Sequence, residues 1–328
     1  MLRFSFHEAM LIVRSLLFNV AFYANLVLWL VLLFPGLLVP PRVFMQGVKL
    51  WGRSSLWLLR VIVGTKIEIR GREKIPPGGA LVAAKHQSFH ETFTLVTILD
   101  DPTYILKREL MWIPLFGWYL WKAGCVPVDR KAGSLALVQM TARAKEEARH
   151  GRQIIIFPEG TRRPPGAPPA YKYGVAHLYQ NLGFPCIPVA LNTGLYWPRR
   201  QFIRRPGTVV IEVLDPIPPG LPREDFFKEV QERIEEASDR LLAEGQGNSA
   251  SFPPRRPRPP CQKPDRICSP VLPKGRASRR GIHLRARSHG SPSRPACDGD
   301  DKSLRKTPKP KPGQASGNLD DSPGRSYI

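Results

Sequence analysis

The segment at positions 83–93, AAKHQSFHETF, contains two histidines and a glutamate that could perform acid–base chemistry. His86 and Glu91 are five residues apart, which on a regular helix would leave the two side chains about 140° apart around the axis. If His86 instead lies on a turn and Glu91 in the first turn of the following helix, the carboxylate can accept a hydrogen bond from Nδ1. Nε2 would then be free to act as a general base. A purely structural histidine–carboxylate pair is the alternative interpretation of this spacing.

The sequence offers no obvious nucleophile for a covalent intermediate. GxSxG does not occur, and neither Cys125 nor Cys186 has a histidine beside it in the sequence. His86 and His90 are four residues apart, as zinc ligands often are, but the HExxH order and a clear third ligand are missing. We therefore expect a base that acts directly on a substrate hydroxyl, and no metal ion.

A second polar segment, IIIFPEGTRR, ends a strongly β-branched run. Its turn residues Glu159, Gly160, Thr161 and Arg162 combine a glycine, a hydroxyl donor and a guanidinium group. Such a turn suits a phosphate group, because the planar guanidinium donates two parallel hydrogen bonds to it. A plain connecting loop is the alternative interpretation.

A third segment, LKRELMWIPLFGWYL, places Lys107 and Arg108 at the end of another β-type run. A tryptophan-rich amphipathic stretch with Pro114 and Gly117 follows. Its aromatic side chains could belong to the core or form an acyl-binding surface that faces a membrane.

The elements that must position these segments alternate between short β-type runs and longer helical patterns. The predicted strands are KIEIR, ALVAA, TYILK, VPVD, IIIFP, CIPVALN and TVVIEVL, and the predicted helices cover 90–98, 111–122, 134–150, 174–181 and 223–243. This alternation predicts an α/β fold whose central, mainly parallel sheet is flanked by helices. GxGxxG and GxxxxGK[ST] are both absent from the sequence, which argues against nucleotide hydrolysis and dinucleotide redox chemistry.

Positions 1–63 predict a membrane segment ahead of this domain. The 27 positions 15–41 carry no charged residue, and a hydrocarbon layer needs about 20 apolar residues to be crossed. We predict a transmembrane helix at about 15–39. A cleaved signal peptide is one alternative, but it would have a shorter apolar region and a small-x-small cleavage site. A buried core helix is the other, although only Asn19 and Asn25 interrupt the apolar run.

A second apolar stretch, at about 44–63, is predicted either to lie in the membrane interface or to cross again. Lys49, Arg53 and Arg60 share one helical face there, so that the interfacial arrangement would put their cations near anionic headgroups. More basic residues follow the first span than precede it, which predicts that the bulk of the chain faces the cytoplasm.

The C-terminal part of the chain differs in composition from the rest. The 328 residues carry a net charge of +22, and positions 246–328 contribute 18 Lys and Arg, 6 Asp and Glu, and 14 Pro. We predict a disordered, basic, proline-rich tail. It could be a solvated extension, an arm for nucleic acid or anionic membranes, or an artefactual C-terminus. The last alternative is kept because nothing in the tail resembles a binding module. No specific nucleic-acid partner is expected. The five cysteines include no CxxC, which indicates a reducing compartment.

The chain resembles the 1-acylglycerol-3-phosphate acyltransferases, a glycerolipid acyltransferase family. The resemblance rests on four motifs in this order: HQSFHE, KRELMWIPLFG, FPEGTR and CIPVAL. The resemblance covers about 64–215. It implies transfer of a fatty acyl group from acyl-CoA or acyl carrier protein to lysophosphatidate, which yields phosphatidate without an acyl-enzyme or a cofactor. Membrane lipids are further expected partners. The implied location is the inner (cytoplasmic) membrane, with the acyltransferase domain, at 64–245, facing the cytoplasm.

The resemblance also implies roles for individual residues. The family's catalytic histidine and acid fall on His86 and Glu91, because five residues beyond His90 lies Leu95. Its acceptor-binding positions fall on Lys107, with Arg108 beside it, on Arg162, and on the turn residues Glu159, Gly160 and Thr161, while Pro188 corresponds to the acyl-chain environment.

The chain departs from the commonest family pattern at two positions. Lys85 stands where Asn usually precedes the histidine, and Glu91 stands where Asp is usual. The departures leave another lysolipid, such as lyso-ornithine lipid, as an alternative acceptor. A thioesterase that uses the same histidine on water and a non-enzymatic membrane adaptor with a basic tail are the rival classes.

Overall fold

The computed structural model describes residues 6–129 and 133–247. The tail predicted at 246–328 therefore lies, from 248 onward, outside the described residues. The described chain forms an α/β fold with a mostly parallel sheet flanked by helices, as the sequence predicted.

Seven strands form the sheet, and each coincides with a predicted run. They are β1 (Thr65–Arg70), β2 (Ala80–Ala84), β3 (Pro102–Lys107), β4 (Val126–Val128), β5 (Gln153–Ile156), β6 (Cys186–Leu191) and β7 (Gly207–Val213). Their order across the sheet is β1-β7-β6-β2-β5-β3-β4. Neighbouring strands are parallel except β6 and β7, which are antiparallel. Strand β2 is central, and its Val82 pairs with Ile155 of β5 and Ile187 of β6.

The helices are α1 (Phe6–Leu32), α2 (Pro41–Leu58), α3 (His90–Ile98), α4 (Phe116–Lys122), α5 (Gly133–Arg149), α6 (Gly174–Leu182), α7 (Thr193–Tyr196) and α8 (Arg223–Gly247). The helix predicted at 111–122 is divided: Arg108–Trp112 forms a 3₁₀ turn, Ile113 is extended, and α4 begins only at Phe116. Pro114 explains the break, because it disfavours helical backbone at the residue before it. The single turn α7 was not predicted.

The sheet is buried on both faces, which explains why its central strands read as continuous apolar runs. Leu81 and Ala83 of β2 pack on one face with side chains of α5, α6 and α8. Val82 and Ala84 pack on the other face with side chains that include Leu95 of α3. Successive residues of one strand thus serve opposite layers of the core.

Helix α1 begins and ends earlier than the span predicted at 15–39. The chain turns at Pro35, which begins a 3₁₀ turn, Pro35–Leu38. Among the described helices, one stretch is long and apolar enough to cross a membrane, Glu8–Leu32 of α1, with a mean hydropathy of 1.9. Its outward-facing side chains are exposed, for example Val20, Val27 and Val31, each by about three-fifths.

The opposite face of α1 docks on the rest of the protein through polar contacts. The Ser15 hydroxyl accepts a hydrogen bond from the Arg204 backbone N–H at 2.9 Å. The Arg204 guanidinium donates to Asn19 Oδ1 at 3.1 Å, and Asn25 Nδ2 donates to the Ser54 hydroxyl of α2 at 3.0 Å. The polar residues of the apolar stretch therefore mark the docked face.

Helix α2 packs tightly on α3. A Cβ on Gly52 would lie 2.7 Å from Thr97 Cγ2, so only glycine permits this approach. The expectation that Lys49 faces lipid headgroups is wrong: its side chain is 8% exposed and Nζ donates to the Asp100 carbonyl at 2.6 Å. The Lys49 side chain is therefore buried in the protein, and its ammonium group bonds to the backbone after α3.

Candidate active site

The site lies at the carboxyl edge of the sheet, where four adjacent strands end. In the order β6, β2, β5, β3 these strands are parallel neighbours, so the segments that follow them meet at one edge. The three polar segments of the sequence follow β2, β5 and β3, and α7 follows β6. The topology thus assembles segments that are far apart in the chain.

His86 and Glu91 form a direct pair at this edge. His86 lies on the turn after β2, and Glu91 lies in the first turn of α3. His86 Nδ1 donates to Glu91 Oε1 at 2.9 Å. The geometry is the one the five-residue spacing required, with the histidine outside the helix and the carboxylate inside its first turn.

Glu91 is completely buried, and its carboxylate is held by further donors. The backbone N–H groups of Gln87 and Ser88 each donate to Oε1 at 2.7 Å, and the Thr193 hydroxyl donates to Oε2 at 2.8 Å. Burial alone would raise the pKa of Glu91, but the hydrogen bonds and the neighbouring His86 outweigh it and lower the pKa below its usual value. Glu91 is therefore a fixed anion. Sequence reasoning missed Thr193, because it belongs to the unpredicted α7.

The His86 ring is fixed from a second direction by stacking on Phe157. The two ring centroids are 3.9 Å apart and the planes are within 15° of parallel. His86 lines the large cleft at this edge. With Nδ1 engaged by Glu91, Nε2 is the nitrogen available to a substrate, and the carboxylate stabilises the ring when it gains a proton.

His90 occupies a different environment from His86. It is fully buried against Phe93 and Trp197, and burial lowers its pKa to about 4. Its Nδ1 lies 3.2 Å from the Thr94 hydroxyl. A neutral, enclosed ring cannot act on a substrate. In the part of the chain that the structure describes, no cluster of three or more His, Cys, Asp or Glu side chains could hold a metal ion.

The cleft is a cavity of about 780 Å³ that extends from His86 into an apolar interior. Helices α1 to α5 and strands β3 to β5 supply the apolar wall, which includes Leu30, Phe44, Val96, Tyr104, Leu106 and Tyr119. This shape suits an elongated apolar group whose reactive end lies beside His86. Trp112 and Trp118 of the third segment, and Trp121 directly after it, are exposed on the surface and do not belong to the core.

Four cationic side chains line the polar part of the cleft. Lys107 and Arg162 were predicted to do so, whereas Lys172 and Arg199 were not. The Arg199 guanidinium donates to the Arg162 carbonyl at 3.0 Å, so two arginines from distant segments lie together. Sequence reasoning missed Lys172 and Arg199 because neither stands in a polar turn directly after a strand.

Gly160 and Thr161 also line the cleft, as predicted. Gly160 has a φ of +65°, a conformation that favours glycine, and its N–H donates to the Phe157 carbonyl at 2.8 Å. The tight turn brings Arg162 back toward His86, and the Arg163 N–H donates to the His86 carbonyl at 2.8 Å.

Glu91 lies behind His86 and does not itself line the cleft, and three further predicted site residues do not line it either. The Glu159 carboxylate is buried and lies 3.0 Å from Lys85 Nζ. Arg108 is turned to the surface, where its guanidinium lies 3.2 Å from an Asp129 carboxylate oxygen. Pro188 is buried within β6, opposite Ala83 of β2. In each case the residue is near the site in sequence, but the strand or turn directs its side chain elsewhere.

Comparisons with known proteins agree with this arrangement. Residues 66–192 match the family model described as Acyltransferase. The chain is 36% identical over 203 residues to the 1-acyl-sn-glycerol-3-phosphate acyltransferase of Pseudomonas aeruginosa, which covers 61% of this chain and 79% of that protein. It is 29% identical over 205 residues to the human 1-acyl-sn-glycerol-3-phosphate acyltransferase alpha. This match covers 61% of this chain and 72% of the human protein. The crystal structure of the 1-acyl-sn-glycerophosphate (LPA) acyltransferase from Thermotoga maritima shares the fold, with a TM-score of 0.61 and 23% identity over 70% of this chain and 97% of that one.

Proposed function

This chain belongs to the 1-acyl-sn-glycerol-3-phosphate acyltransferase family, and on that premise we propose that it acylates the free hydroxyl of 1-acylglycerol 3-phosphate. The acyl group comes from acyl-CoA or acyl carrier protein, and the product is phosphatidate, a step of phospholipid biosynthesis. The observation that carries the proposal is the His86–Glu91 pair, which opens on a cavity that is apolar at depth and cationic at its mouth.

His86 is the proposed general base. Nε2 removes the proton from the acceptor hydroxyl as its oxygen attacks the thioester carbonyl, and Glu91 stabilises the imidazolium that forms. The tetrahedral intermediate then expels the thiolate, which takes the proton from the imidazolium. A thioester is already activated, so the chemistry requires no acyl-enzyme and no cofactor; general-base catalysis of this kind contributes about 10² to 10⁴ in rate.

The four cations at the mouth are the proposed phosphate site. Lys107 and Arg162 bind the acceptor phosphate, and Lys172 and Arg199 add positive charge beside them. Arg199 also bonds the Arg162 backbone, which limits the movement of that segment. The apolar depth of the cavity accommodates an acyl chain while the thioester carbonyl lies near His86.

The proposed membrane contact is the outer face of α1. Ser15, Asn19 and Asn25 of α1 bond to the rest of the protein, so α1 enters the membrane as a helix docked on the domain. Its exposed apolar side chains face the lipid of the inner membrane, and the acyltransferase domain stays in the cytoplasm. Helix α4 lies beside the C-terminal end of α1, where the Tyr119 hydroxyl donates to the Leu30 carbonyl at 2.5 Å. The exposed Trp118 and Trp121 of α4 suit the headgroup layer.

The test is acyl transfer by membranes that contain the full chain. Labelled acyl-CoA is offered with lysophosphatidate and, in parallel, with lyso-ornithine lipid, for the wild type, His86→Ala and His150→Ala. His150 is exposed on the surface and serves as the matched control. We expect labelled phosphatidate from the wild type and the control, and a loss of at least about 10²-fold in His86→Ala.

Each other outcome changes the proposal in a defined way. Label only in acylated lyso-ornithine lipid would replace the acceptor and keep the mechanism. Label released as free fatty acid would indicate a thioesterase. Retention of more than about a tenth of the wild-type rate in His86→Ala would remove His86 as the base.

A further inference from the structure

The turn that carries His86, at 85–89, is called the catalytic turn, and behind it lies a buried cluster of charges that the proposed mechanism does not use. Lys85 is 3% exposed, and its Nζ donates to Glu159 Oε1 at 3.0 Å and to Glu235 Oε1 at 2.5 Å. The Tyr171 hydroxyl also donates to Glu235 Oε1, at 3.0 Å. We call Lys85, Glu159 and Glu235 the buried triad. None of its three side chains lines the cleft.

The triad joins three segments that are distant in the sequence. Lys85 directly precedes His86, Glu159 directly precedes the turn residues that line the cleft, and Glu235 belongs to α8. Lys85 lies 74 residues from Glu159 and 150 from Glu235. The contact therefore adds a side-chain link between the catalytic turn and the acceptor turn, 158–162, beside the backbone bond from Arg163 to His86, and it fixes both turns to α8.

A buried ion cluster keeps its geometry more strictly than an exposed one. Little water reaches these groups, so moving a carboxylate away from the ammonium leaves a buried charge unpaired. Arg163 Nε, 3.8 Å from Glu159 Oε1, adds a second cation on the acceptor-turn side. The two positive and two negative side chains balance, which favours one defined arrangement.

We propose that Lys85 is a positioning residue that, through Glu159 and Glu235, holds the acceptor turn against the catalytic turn, so that Glu235 of α8 supports acceptor binding without touching the acceptor. This inference rests on the proposed function, because it assigns the supported turn to the acceptor phosphate. In this arrangement the buried Glu159 side chain is the link between Lys85 and the acceptor turn. Small displacements of positioning groups are known to cost up to about 10²-fold in rate.

The first experiment compares steady-state kinetics of the full chain for wild type, Glu235→Gln, Lys85→Met and Glu232→Gln. Glu232 is the matched control, an exposed glutamate of the same helix that pairs with Lys228 at 3.9 Å. We expect Glu235→Gln to raise the acceptor KM about fivefold while the acyl-donor KM and kcat stay within about twofold, and Lys85→Met to raise it more. The control keeps wild-type values. A change of kcat and both KM values by one common factor, or an unchanged acceptor KM, would overturn the proposal.

The second experiment is independent of activity and guards against misfolding of Lys85→Met. Hydrogen exchange of the intact chain is followed in peptides that cover 157–163 and 80–84. Loss of the triad should accelerate exchange at 157–163 at least about threefold in Glu235→Gln, while β2 at 80–84 and the Glu232→Gln control stay protected. Uniform acceleration in both peptides, or none in either, contradicts the proposed role of the buried triad.

The two proposals can fail separately. If the wild type forms no phosphatidate but acylates another lysolipid, the proposed acceptor is wrong, and the triad is judged by the KM for that lysolipid. If phosphatidate forms normally and exchange at 157–163 does not respond, the triad proposal is wrong and the proposed function stands. If no acceptor is used at all, the proposed function fails, and with it the inference that the turn holds an acceptor.

Discussion

The carboxyl edge of the sheet and helix α1 both place polar side chains among apolar ones, but the polar groups have different roles in the two regions. At the edge, Glu91 is buried and receives four hydrogen bonds, from His86, Thr193 and the backbone of Gln87 and Ser88. In α1, Asn25 is half-buried and reaches the hydroxyls of a neighbouring helix. The first arrangement fixes a charge beside a cleft, and the second fixes a helix to a domain. Removing one partner should therefore affect catalysis in the first region and stability in the second.

The largest expected effect is on catalysis, from Glu91→Gln. The amide keeps an oxygen for the backbone donors but no longer stabilises the imidazolium, so kcat should fall about 10²-fold or more while the protein stays folded. The measurement is phosphatidate formation under saturating substrates, beside circular dichroism of the same preparation. A rate above a tenth of the wild-type rate would show that the negative charge of Glu91 is not required for catalysis.

A smaller effect is expected on stability as the pH falls, and it arises from His90. Burial lowers the pKa of His90 to about 4 from its ordinary value of 6.5. Between these values the unfolded chain binds a proton at His90 that the folded protein does not, so the contribution of His90 lowers the free energy of unfolding as the pH falls below 6.5, by about 2 kcal/mol at pH 5. Denaturant unfolding in detergent at pH 7.5 and pH 5 should show a smaller loss for His90→Gln than for wild type. Identical losses in the two proteins would contradict a buried neutral ring.

Arg162→Ala tests whether the mouth of the cleft binds the phosphate. Removing a bidentate donor should raise the acceptor KM about tenfold, equivalent to about 1.4 kcal/mol, because Lys107, Lys172 and Arg199 remain. The donor KM should stay unchanged. Kinetics with a phosphate-free lysolipid provide the control, since that substrate should not sense the change. An equal effect on both acceptors would indicate a structural role for Arg162.

The smallest expected effect is on the docking of α1. Asn25→Ala removes hydrogen bonds to Ser54 and Ser55 and should lower the free energy of unfolding by about 1 kcal/mol with kcat unchanged. Val27→Ser on the exposed face should leave stability within about 0.5 kcal/mol. Unfolding in detergent measures both, and flotation with liposomes measures retention, which should decrease for Val27→Ser alone. If Val27→Ser lowered stability and Asn25→Ala lowered retention on liposomes, the docked and outer faces of α1 would be assigned the wrong way round.

The parts of the site that sequence reasoning found share one property: they depend on local backbone rules. The His86–Glu91 geometry follows from a turn that enters a helix, and the acceptor turn follows from a glycine with positive φ after a β-branched strand. Glu159, Arg108 and Pro188 were placed in the cleft by proximity in the chain, and their side chains point elsewhere. Lys172 lies in the loop before α6 and Arg199 in the loop after α7, and tertiary packing brings both loops to the cleft, which no local pattern indicates.

By itself, the sequence determined the seven strands, most of the helices, the mainly parallel sheet and the pairing of His86 with Glu91, because apolar periodicity and turn residues act over a few positions. Tertiary structure decided which side of α1 is docked, which four cations share the cleft, and that Lys85 reaches both Glu159 and Glu235. Those contacts join residues far apart in the chain, and their geometry is set by the order of the strands. That order follows from the packing of both faces of the sheet, which involves the whole domain at once.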